Sequence, residues 1–548
     1  MKRYTRTLLS MLLAVVMLAN IGAAFAQDAQ ENPLAFEKYE PEIDVHIGRA
    51  TENAIKFIEG ESWDNNIWID SYKERLGINI VNDFIVDTTQ WDAKVNLVIA
   101  SGDLPDILYV SAKQAKMLAE ADMIQDLTDV FEKYASTMTA SMLPHDSQTW
   151  NASMIDGKLM GLPMLWSLVY QLPVVWVRAD WMTKLNAQEP KTVDELIALA
   201  ELFATQDPDG NGQNDTYGIA IQKNLKGNVG DARGLLNMFG AYKDIWVKGE
   251  DGKLVNSSTL PSMRTALEKM ADLYKRGIID KEFGVKDEGK VVEDVVSEKV
   301  GILVGQFWNP AWPFMDLKTK NPDSDWIALR LLGEKEGEYA LSQVTLKVDN
   351  FYVVRKECEH PEAVIKIANV DFDNLYGPSS SLWAETAMND TYRDIQTFKY
   401  AVLGFEFPDA NSEMYRQMQR AIKEGNGDSI TLQIVKDEYE TVLKWINDKN
   451  PDGWAAYKVR VDPQCGMAVV DAIITEDTIV YNEFYGLPGP VAIERAATMS
   501  KLEDEVFTKI IMGSAPIEDF DKFVEQWNQI GGVELTAEVN AWYDELSK

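Results

Sequence analysis

From residue 43 onward, the hydrophobic positions switch repeatedly between the spacing of a strand and the spacing of a helix. Short apolar runs predict buried strands at 43–47, 78–86 and 106–110. Between the first two runs, Trp68, Tyr72 and Leu76 recur at helical spacing, and Gly77 ends that helix. Such alternation predicts right-handed crossovers and a mostly parallel sheet, which is the beginning of a doubly wound α/β lobe.

The pattern changes near Gly157, where extended segments at 159–162 and 172–177 can carry the chain into a second lobe. Helical spacing then covers 193–204 and 262–276, and short buried strands are predicted at 301–304 and 351–354. After residue 413 the pattern is mostly helical, with helices predicted at 414–424, 430–447, 493–512, 517–530 and 536–546. The lobes are therefore expected to be discontinuous in sequence.

The first 26 residues have the pattern of a secretory signal peptide. Lys2, Arg3 and Arg6 precede an apolar run from Leu8 to Ala19, and small residues end at Ala26. The run is shorter than the ~20 residues that span a bilayer. We therefore predict an exported protein, periplasmic or extracellular, and no Cys follows Ala26 to carry a lipid anchor.

The length and the pattern together predict several domains, because single cores seldom exceed ~250–300 residues. The predicted organisation is a signal peptide (1–26), a polar leader (27–41), the first part of an N-terminal lobe (42–165), the first part of a C-terminal lobe (166–345), a return to the N-terminal lobe (346–430) and a mostly helical part that completes the C-terminal lobe (431–548).

The formal net charge of -34 is spread along the chain and disfavours DNA or RNA as a partner, because a polyanion would be repelled. The only cysteines are Cys358 and Cys465, and they lack the CxxC spacing of zinc or redox sites. One disulfide and two free thiols are equally compatible with the sequence.

No catalytic signature is present, and we expect no enzyme. The chain has three His and lacks the GxSxG, HExxH, GxxxxGK[ST] and GxGxxG motifs. A glycosidase needs only two carboxylates, however, and the chain has 87 Asp and Glu. A secreted glycoside hydrolase therefore remains the alternative among enzymes.

An alternating run of oxygen side chains is typical of a calcium loop. Asp207, Asp209, Asn211 and Asp215 would supply side-chain oxygens, and Gln213 its backbone carbonyl. Gly212 occupies the turn position, but Gly218 replaces the usual bidentate Glu. The alternative is an ordinary polar turn. A bound Ca²⁺ would be structural.

Aromatic residues near strand ends are candidates for sugar stacking, with polar side chains to bind the hydroxyl groups. Trp308 and Trp312 follow a short buried strand, and Pro310 and Pro313 prevent a regular continuation. The complete set of candidate ligand-binding residues is Trp63, Asn65, Trp166, Tyr170, Trp308, Asn309, Trp312 and Trp383. In contrast, Trp68 and Trp91 lie on helical stripes that predict packing.

Taken in order, several segments resemble the extracellular solute-binding protein family 1 of carbohydrate ABC importers. The chain is most similar to the long lipoprotein-type members, including alginate-binding proteins. The matching segments are 91–106, 157–163, 177–181, 190–196, 207–215, 308–313, 482–488, 501–505 and 509–513. Each segment alone is weak, but the ordered set is specific.

The resemblance implies a type II periplasmic-binding-protein fold, with two discontinuous lobes, a hinge and a ligand cleft between the lobes. It further implies a monomer that binds a carbohydrate without turnover and delivers it to a membrane ABC permease. The loop at 207–215 resembles the structural calcium site of the family. A receptor for a non-sugar solute such as a peptide is the other alternative. A basic pocket from Arg178 or Arg233 could accommodate an acidic sugar.

Overall fold

The computed structural model describes residues 32–52, 55–144, 147–165, 167–345, 348–377, 397–404 and 410–546. The predicted signal peptide and the candidate residues Trp166 and Trp383 lie outside these residues. Across the described ranges, no helix has the length and apolar character needed to cross a membrane.

Thirteen strands occur in the described residues and are numbered in chain order. They are β1 (Ile43–Thr51), β2 (Ile78–Asp87), β3 (Ile107–Ser111), β4 (Leu162–Pro163), β5 (Val174–Arg178), β6 (Tyr217–Ala220), β7 (Trp246–Lys248), β8 (Leu254–Asn256), β9 (Val300–Gly305), β10 (Trp326–Leu329), β11 (Ser342–Val344), β12 (Asn350–Val354) and β13 (Ile479–Tyr481).

The α-helices lie between and after these strands. Up to β12 they are Ile67–Leu76, Trp91–Ser101, Ala112–Glu120, Thr128–Tyr134, Thr137–Met142, Gln148–Ala152, Ala179–Lys184, Val193–Thr205, Ala232–Met238, Pro261–Arg276, Glu288–Val296 and Phe314–Lys320. After β12 they are Ala363–Tyr376, Ala410–Glu424, Gln433–Asp448, Trp454–Arg460, Gly466–Thr475, Pro490–Ile511, Asp519–Trp527 and Val533–Leu546.

The first lobe is built on a five-stranded sheet in the order β2-β1-β3-β12-β4. Strand β1 pairs in parallel with β2 and β3, whereas β12 runs antiparallel to β3 and β4. The predicted parallel beginning is confirmed. The sheet is completed by β12, a strand that follows β3 by more than two hundred residues of sequence, which is why the lobe is discontinuous.

The helix Ile67–Leu76 shows how local sequence builds this lobe. The Asn66 side chain accepts hydrogen bonds from the backbone N–H groups of Trp68 (3.0 Å) and Ile69 (3.3 Å), which caps the helix start. Gly77 ends the helix in the left-handed conformation, with φ 68°. The buried face carries Trp68, Tyr72 and Leu76, as the periodicity predicts.

The second lobe contains a four-stranded sheet in the order β10-β5-β9-β6. Only the β6–β9 pair is parallel, and β5 pairs antiparallel with both β9 and β10. Every residue of β5 and β9 is buried, because helices cover both faces of the sheet. One face of this sheet packs against the helices that begin with Ala179–Lys184 and against the last helices of the chain. The other face packs against the helices that begin with Trp454–Arg460.

Within the described residues, the chain passes between the lobes three times. It leaves the first lobe between β4 and β5, returns between β11 and β12, and leaves again between the helices Gln433–Asp448 and Trp454–Arg460. The last crossing follows residue 448, whereas the predicted boundary is residue 431. Val435, Tyr439 and Val442 bury their side chains in the core of the first lobe, which holds this helix there.

The two cysteines are free thiols. Cys358 is half-buried against the core of the first lobe, and Cys465 is buried in the second. Burial raises the pKa of Cys358 to about 11 and that of Cys465 to about 12, so both thiols stay protonated near neutral pH.

Candidate ligand site between the lobes

A cavity of about 650 Å³ lies where the two lobes meet. The first lobe lines it with Met142, Thr149, Ala152, Leu165, Val348 and Asp349. The second lobe and the crossing segments line it with Leu168, Tyr170, Gln171, Asn228, Trp308, Thr345 and Tyr481. The volume is within the ~300–1,000 Å³ typical of small-ligand sites, and the lining is mostly apolar with a few polar groups.

Trp308 is held on a turn that directly follows strand β9. The Asn309 side chain closes this turn, because its Oδ1 accepts from the Gln306 N–H at 2.7 Å and its Nδ2 donates to the Trp312 carbonyl at 3.2 Å. The Gln306 carbonyl in turn accepts from the Trp176 indole N–H at 3.0 Å. The half-buried Trp308 ring is therefore presented to the cavity by a rigid support.

Two predicted ligand-binding residues have supporting positions in this turn. Asn309 is fully buried with both amide atoms engaged, so its side chain is not available to a ligand. The Trp312 ring stacks on that of Trp308, with centroids 6.3 Å apart and planes 25° apart, and is 39% exposed. Trp312 does not line the cavity and supports Trp308 from outside.

Gly305 allows the turn to pack closely against a neighbouring loop. A Cβ at this position would lie 2.1 Å from Asn309 Oδ1 and 2.7 Å from the Asn228 carbonyl oxygen. Both distances are far shorter than non-bonded contacts permit. Because Gly305 has no side chain, the turn and the loop can approach each other closely. Asn228 and Trp308 can therefore line the same cavity.

Tyr170 lies on the first crossing segment and is fixed from both lobes. Its hydroxyl accepts from Asn411 Nδ2 at 3.1 Å, and its ring packs at 5.4 Å from Phe307. The neighbouring Gln171 side chain accepts from the Thr345 N–H at 2.8 Å, which ties the first crossing to the second. A change in the angle between the lobes would therefore move the residues that contact a ligand.

Trp63 and Asn65 do not line this cavity. Trp63 packs in an aromatic cluster beyond the end of β1, 5.1 Å from the Phe57 ring and with the Arg49 guanidinium 4.7 Å from its centroid. Arg49 is buried and donates to the carbonyls of Tyr400 and Ala401, and burial lowers its pKa. Asn65 is exposed and donates to the Gly60 carbonyl at 3.2 Å.

The two arginines that could form a basic pocket, Arg178 and Arg233, are both paired with carboxylates. Arg178 is fully buried, pairs with Asp180 (2.7 Å) and Glu298 (3.1 Å), and lies 4.3 Å from the Trp181 ring centre. Arg233 donates from Nε and Nη2 to the Asp231 carboxylate at 2.5–3.0 Å. Both charges are compensated within the second lobe, so neither is available for an anionic ligand.

Of the described cavity residues, the sequence predicted only Tyr170 and Trp308. Asn228, Thr345, Asp349 and Tyr481 come from three distant parts of the chain, and none stands in a motif. Tyr481 is positioned because β13 pairs with β11 and the following Asn482 accepts from the Trp246 N–H at 2.8 Å. The sequence offers a signal only for Thr345 and Asp349, which lie between β11 and β12. Ligands often bind at such strand ends.

The predicted calcium loop folds so that its polar side chains converge. Asn211 Nδ2 lies 2.6 Å from Asp209 Oδ2 and 3.1 Å from Asp215 Oδ1, and the Gly212 N–H donates to Asp207 Oδ2 at 3.0 Å. Gly210 and Gly212 adopt φ of 77° and 78°, which the tight curl requires. The loop is therefore curled around its own oxygen atoms.

The electrostatics of this loop leave negative charge uncompensated. Asp207 Oδ1 is buried without a hydrogen-bond partner, and burial together with Asp207 raises the pKa of Asp209. The oxygen-only donor set fits a hard cation. Nevertheless, among the described residues no three or more His, Cys, Asp or Glu side chains are already spaced to hold a metal ion.

The described side chains of the cavity wall are suited to stacking and hydrogen bonding. Asp349 is the only charged side chain among the described lining residues, so the pair of carboxylates that a glycosidase needs is missing from that part of the wall. A flat indole, a phenol and several amide and hydroxyl groups instead provide stacking and hydrogen bonds.

The sequence matches a known family over more than half of its length. A profile described as bacterial extracellular solute-binding protein matches residues 55–370. Lipoprotein LipO of Bacillus subtilis (strain 168) is 23% identical over 464 residues, covering 84% of this chain and 85% of LipO. The polygalacturonan/rhamnogalacturonan-binding protein YtcQ of the same organism is 24% identical over 463 residues, covering 83% of each protein.

A solved structure shares the fold. The S. pneumoniae ABC-transporter substrate-binding protein FusA in complex with kestose superposes with a TM-score of 0.59 at 18% sequence identity. The alignment covers 92% of this chain and 99% of that chain. The predicted fold, two α/β lobes around a cleft, is thereby confirmed over nearly the whole length.

Proposed function

Because this chain belongs to the bacterial extracellular solute-binding protein family, we propose that it binds an oligosaccharide between its lobes for delivery to a membrane importer. The observation that carries the proposal is the interlobe cavity with Trp308 and Tyr170 on its wall. The names of YtcQ and of the FusA–kestose complex, which both refer to carbohydrate binding, support the same ligand class.

The lining explains how a sugar would be bound. The apolar C–H face of a pyranose or furanose ring would lie on the Trp308 indole, which Trp312 and the Asn309 turn hold in place. Hydroxyl groups would bond Gln171, Asn228 and Asp349 around the ring. Because the wall comes from both lobes, a bound ligand favours the closed arrangement over the open one.

Ligand binding is expected to stabilise the fold. An oligosaccharide at a concentration ~100 times its dissociation constant should raise the free energy of unfolding by about 2.7 kcal/mol, since only the folded state binds it. The experiment is a thermal-unfolding screen against neutral and acidic oligosaccharides, followed by calorimetric titration of each hit. If no oligosaccharide raises the midpoint and a peptide panel does, the ligand class is wrong.

The same titration tests turnover. We propose that the ligand is released unchanged, because the described part of the wall holds the single carboxylate of Asp349 and not the pair that hydrolysis requires. Bound oligosaccharide recovered after long incubation should therefore be intact. Release of new reducing ends that an Asp349→Asn variant abolishes would instead favour the glycosidase alternative.

Export and delivery complete the proposal. The leader at residues 1–26 supports secretion by the general pathway, and the family is described as extracellular. The partner for delivery would be the permease of an ABC importer, which receives the closed, loaded form. Co-purification of the loaded protein with such a permease, and loss of that complex without ligand, would support this step.

A structural calcium ion is also part of the proposal. Asp207, Asp209, Asn211, Gln213 and Asp215 would hold it, and it would neutralise the charge that the loop leaves uncompensated. The loop lies at the end of the helix Val193–Thr205, away from the interlobe cavity. The ion would therefore stabilise the second lobe without contacting the ligand.

The effect of Asp209→Asn on thermal stability should reverse its sign when calcium is added. In a chelator, the variant should be at least as stable as wild type, because the Asp209 carboxylate lies close to those of Asp207 and Asp215, which repel its charge. In millimolar calcium, wild type should be the more stable, since the ion needs that charge. Thermal unfolding in both conditions measures this crossover.

Asp251→Asn is the matched control, because Asp251 lies in another exposed turn, where it accepts from the Lys253 N–H at 3.0 Å. Its stability should respond to calcium as wild type does. An identical calcium response in wild type and Asp209→Asn would remove the ion from this loop.

A further inference from the structure

A second cavity, of about 760 Å³, lies between the lobes beside the ligand cavity. The first lobe contributes Trp150 and Asn151 to its wall, and the second contributes Phe484 and Trp542. Nothing in the function derived so far uses these residues. Its volume again falls in the ~300–1,000 Å³ range of small-ligand sites.

The two cavities are neighbouring parts of one groove. Ala152 lines both, and within its short helix Thr149 faces the first cavity while Trp150 faces the second. On the opposite wall the chain runs from Tyr481 in the first cavity to Phe484 in the second. A chain-like ligand that fills the first cavity could therefore continue past Ala152 into the second.

The aromatic side chains of the second cavity are held in fixed positions. The Trp542 ring stands perpendicular to Phe484 and Tyr485, with centroids 4.9 and 4.8 Å away. A Cβ on Gly486 would lie 2.5 Å from the indole nitrogen of Trp542, so this glycine lets the segment pass directly against the ring. On the other wall, Trp150 packs 6.2 Å from Phe131. Rigid rings of this kind are suited to stacking with sugars.

The described wall of the groove carries more acidic than basic side chains. Glu132, Asp156, Glu538 and Glu545 line the second cavity, and Lys116 is the one cation among its described lining residues. The described wall of the first cavity adds Asp349 and no cation. A uronate would bring like charge into a surface where five described acidic side chains face a single lysine.

We propose that the second cavity binds the outer residues of a long neutral oligosaccharide whose first residues occupy the Trp308 cavity. This inference rests on the proposed function and adds the length and charge class of the ligand to it. The Trp542 indole would provide the outer stacking surface, while the acidic side chains would accept hydrogen bonds from neutral hydroxyl groups. Uronate oligomers of the same length would be excluded.

The test is a calorimetric titration with neutral fructan, glucan and xylan oligosaccharides, using the disaccharide and the hexasaccharide of each series. Wild type should bind the hexasaccharide of its preferred series at least about tenfold more tightly than the disaccharide. Trp542→Ala should lose about that factor for the hexasaccharide and leave disaccharide affinity within about twofold. Tyr543→Ala is the control, since Tyr543 lies on the same helix but outside the cavity wall.

Because Trp542 also packs against the second lobe, unfolding midpoints of the variants are compared, and Trp542→Phe provides a milder change that should recover part of the affinity. Equal affinities of wild type and Trp542→Ala for every length, or equal losses for both lengths, would overturn the second site. If Trp542→Ala instead weakens only binding to a permease, the cavity serves a protein partner and the proposal fails.

A matched series of oligogalacturonides tests the charge class. Wild type should bind the galacturonate hexamer at least about tenfold more weakly than the preferred neutral hexamer. Equal or tighter binding of the acidic hexamer would overturn the neutral class while leaving the proposed function intact. Absence of binding to every oligosaccharide, neutral or acidic, would overturn the proposed function and this extension with it.

Discussion

Trp308→Ala is expected to weaken oligosaccharide binding by more than about tenfold. The Trp308 indole lines the first interlobe cavity, and its ring is held by the Trp312 stack and by the Asn309 turn. Removing it takes away both the stacking surface and the apolar area that the ligand would bury. The effect should appear mainly as faster dissociation, because the approach of the ligand is unchanged.

Trp312→Ala provides the comparison that separates contact from support. Its ring is stacked behind Trp308 and is outside the cavity wall, so we expect a smaller loss of affinity than for Trp308→Ala. Titration calorimetry gives both affinities, and unfolding midpoints show that each variant is folded. Wild-type affinity in a folded Trp308→Ala variant would remove this tryptophan from the site.

Lys243→Met is expected to lower the free energy of unfolding by about 3–5 kcal/mol, the cost of breaking a buried ion pair from one side. The Lys243 side chain is fully buried, with Nζ 2.7 Å from Asp244, 3.0 Å from Glu503 and 2.9 Å from Asp504. Without the ammonium group, the carboxylates of Asp244 and Asp504, and that of Glu503 once it ionises, would lose their shared cation. Urea unfolding measures the loss, and a change below about 1 kcal/mol would contradict it.

The loss of stability caused by Lys243→Met should also depend on pH. Burial and the nearby Asp244 raise the pKa of Glu503 from 4.5 to about 8, and Lys243 opposes this rise. A raised pKa means that the folded state favours the protonated acid, so the contribution of Glu503 to stability is largest below pH 4.5 and is lost as the pH rises to about 8. Without Lys243, the pKa should rise further. The penalty of Lys243→Met should therefore be smaller at pH 5 than at pH 8.

Two variants test the cause of that penalty. Adding Glu503→Gln to Lys243→Met removes the unpaired charge and should recover part of the stability, and should abolish most of the difference between pH 5 and pH 8. Lys248→Met is the surface control, because Lys248 is largely exposed and lies 3.9 Å from Glu483. Its loss should stay below about 1 kcal/mol. If the double variant is as unstable as Lys243→Met alone, the loss of stability does not come from the unpaired charge of Glu503.

The ion cluster also matters for the site. It attaches the helix Pro490–Ile511 to the loop before β7, through Glu503 and Lys243. The segment that enters this helix carries Tyr481 and Phe484, one residue in each of the two cavities. The buried charges therefore hold one wall of the groove in position, although they contact no part of it.

Much of the secondary structure follows from local pattern. The helix Ile67–Leu76 has its cap, its apolar face and its terminal glycine within twelve residues, so spacing alone places it correctly. The strands β6 and β10 were missed, because each is four residues long and fully buried, and such a run has no period to detect. The third crossing was also misplaced, since burial of Val435 and Tyr439 in the first lobe is a long-range contact.

The candidate site could likewise be predicted only in part. Trp308 and Tyr170 could be chosen from the sequence, because prolines and strand ends mark a displayed aromatic residue. Asn309 is a candidate for the same reason but closes the turn, and Arg178, which could form a basic pocket, is buried between Asp180 and Glu298. A side chain's direction and its partners are set by packing, which spacing does not contain.

The sequence by itself determined the two-lobed α/β architecture, the family and the polar loop at 207–215, because these depend on periodicity, on segment order and on spacing within a few residues. Only the tertiary structure decided which residues share the groove. Asn228, Asp349, Tyr481 and Trp542 are far apart in the chain and meet only because three crossings fold the lobes together. The excess of acidic side chains along the described wall of the groove, likewise, is set by which distant segments the packing brings together.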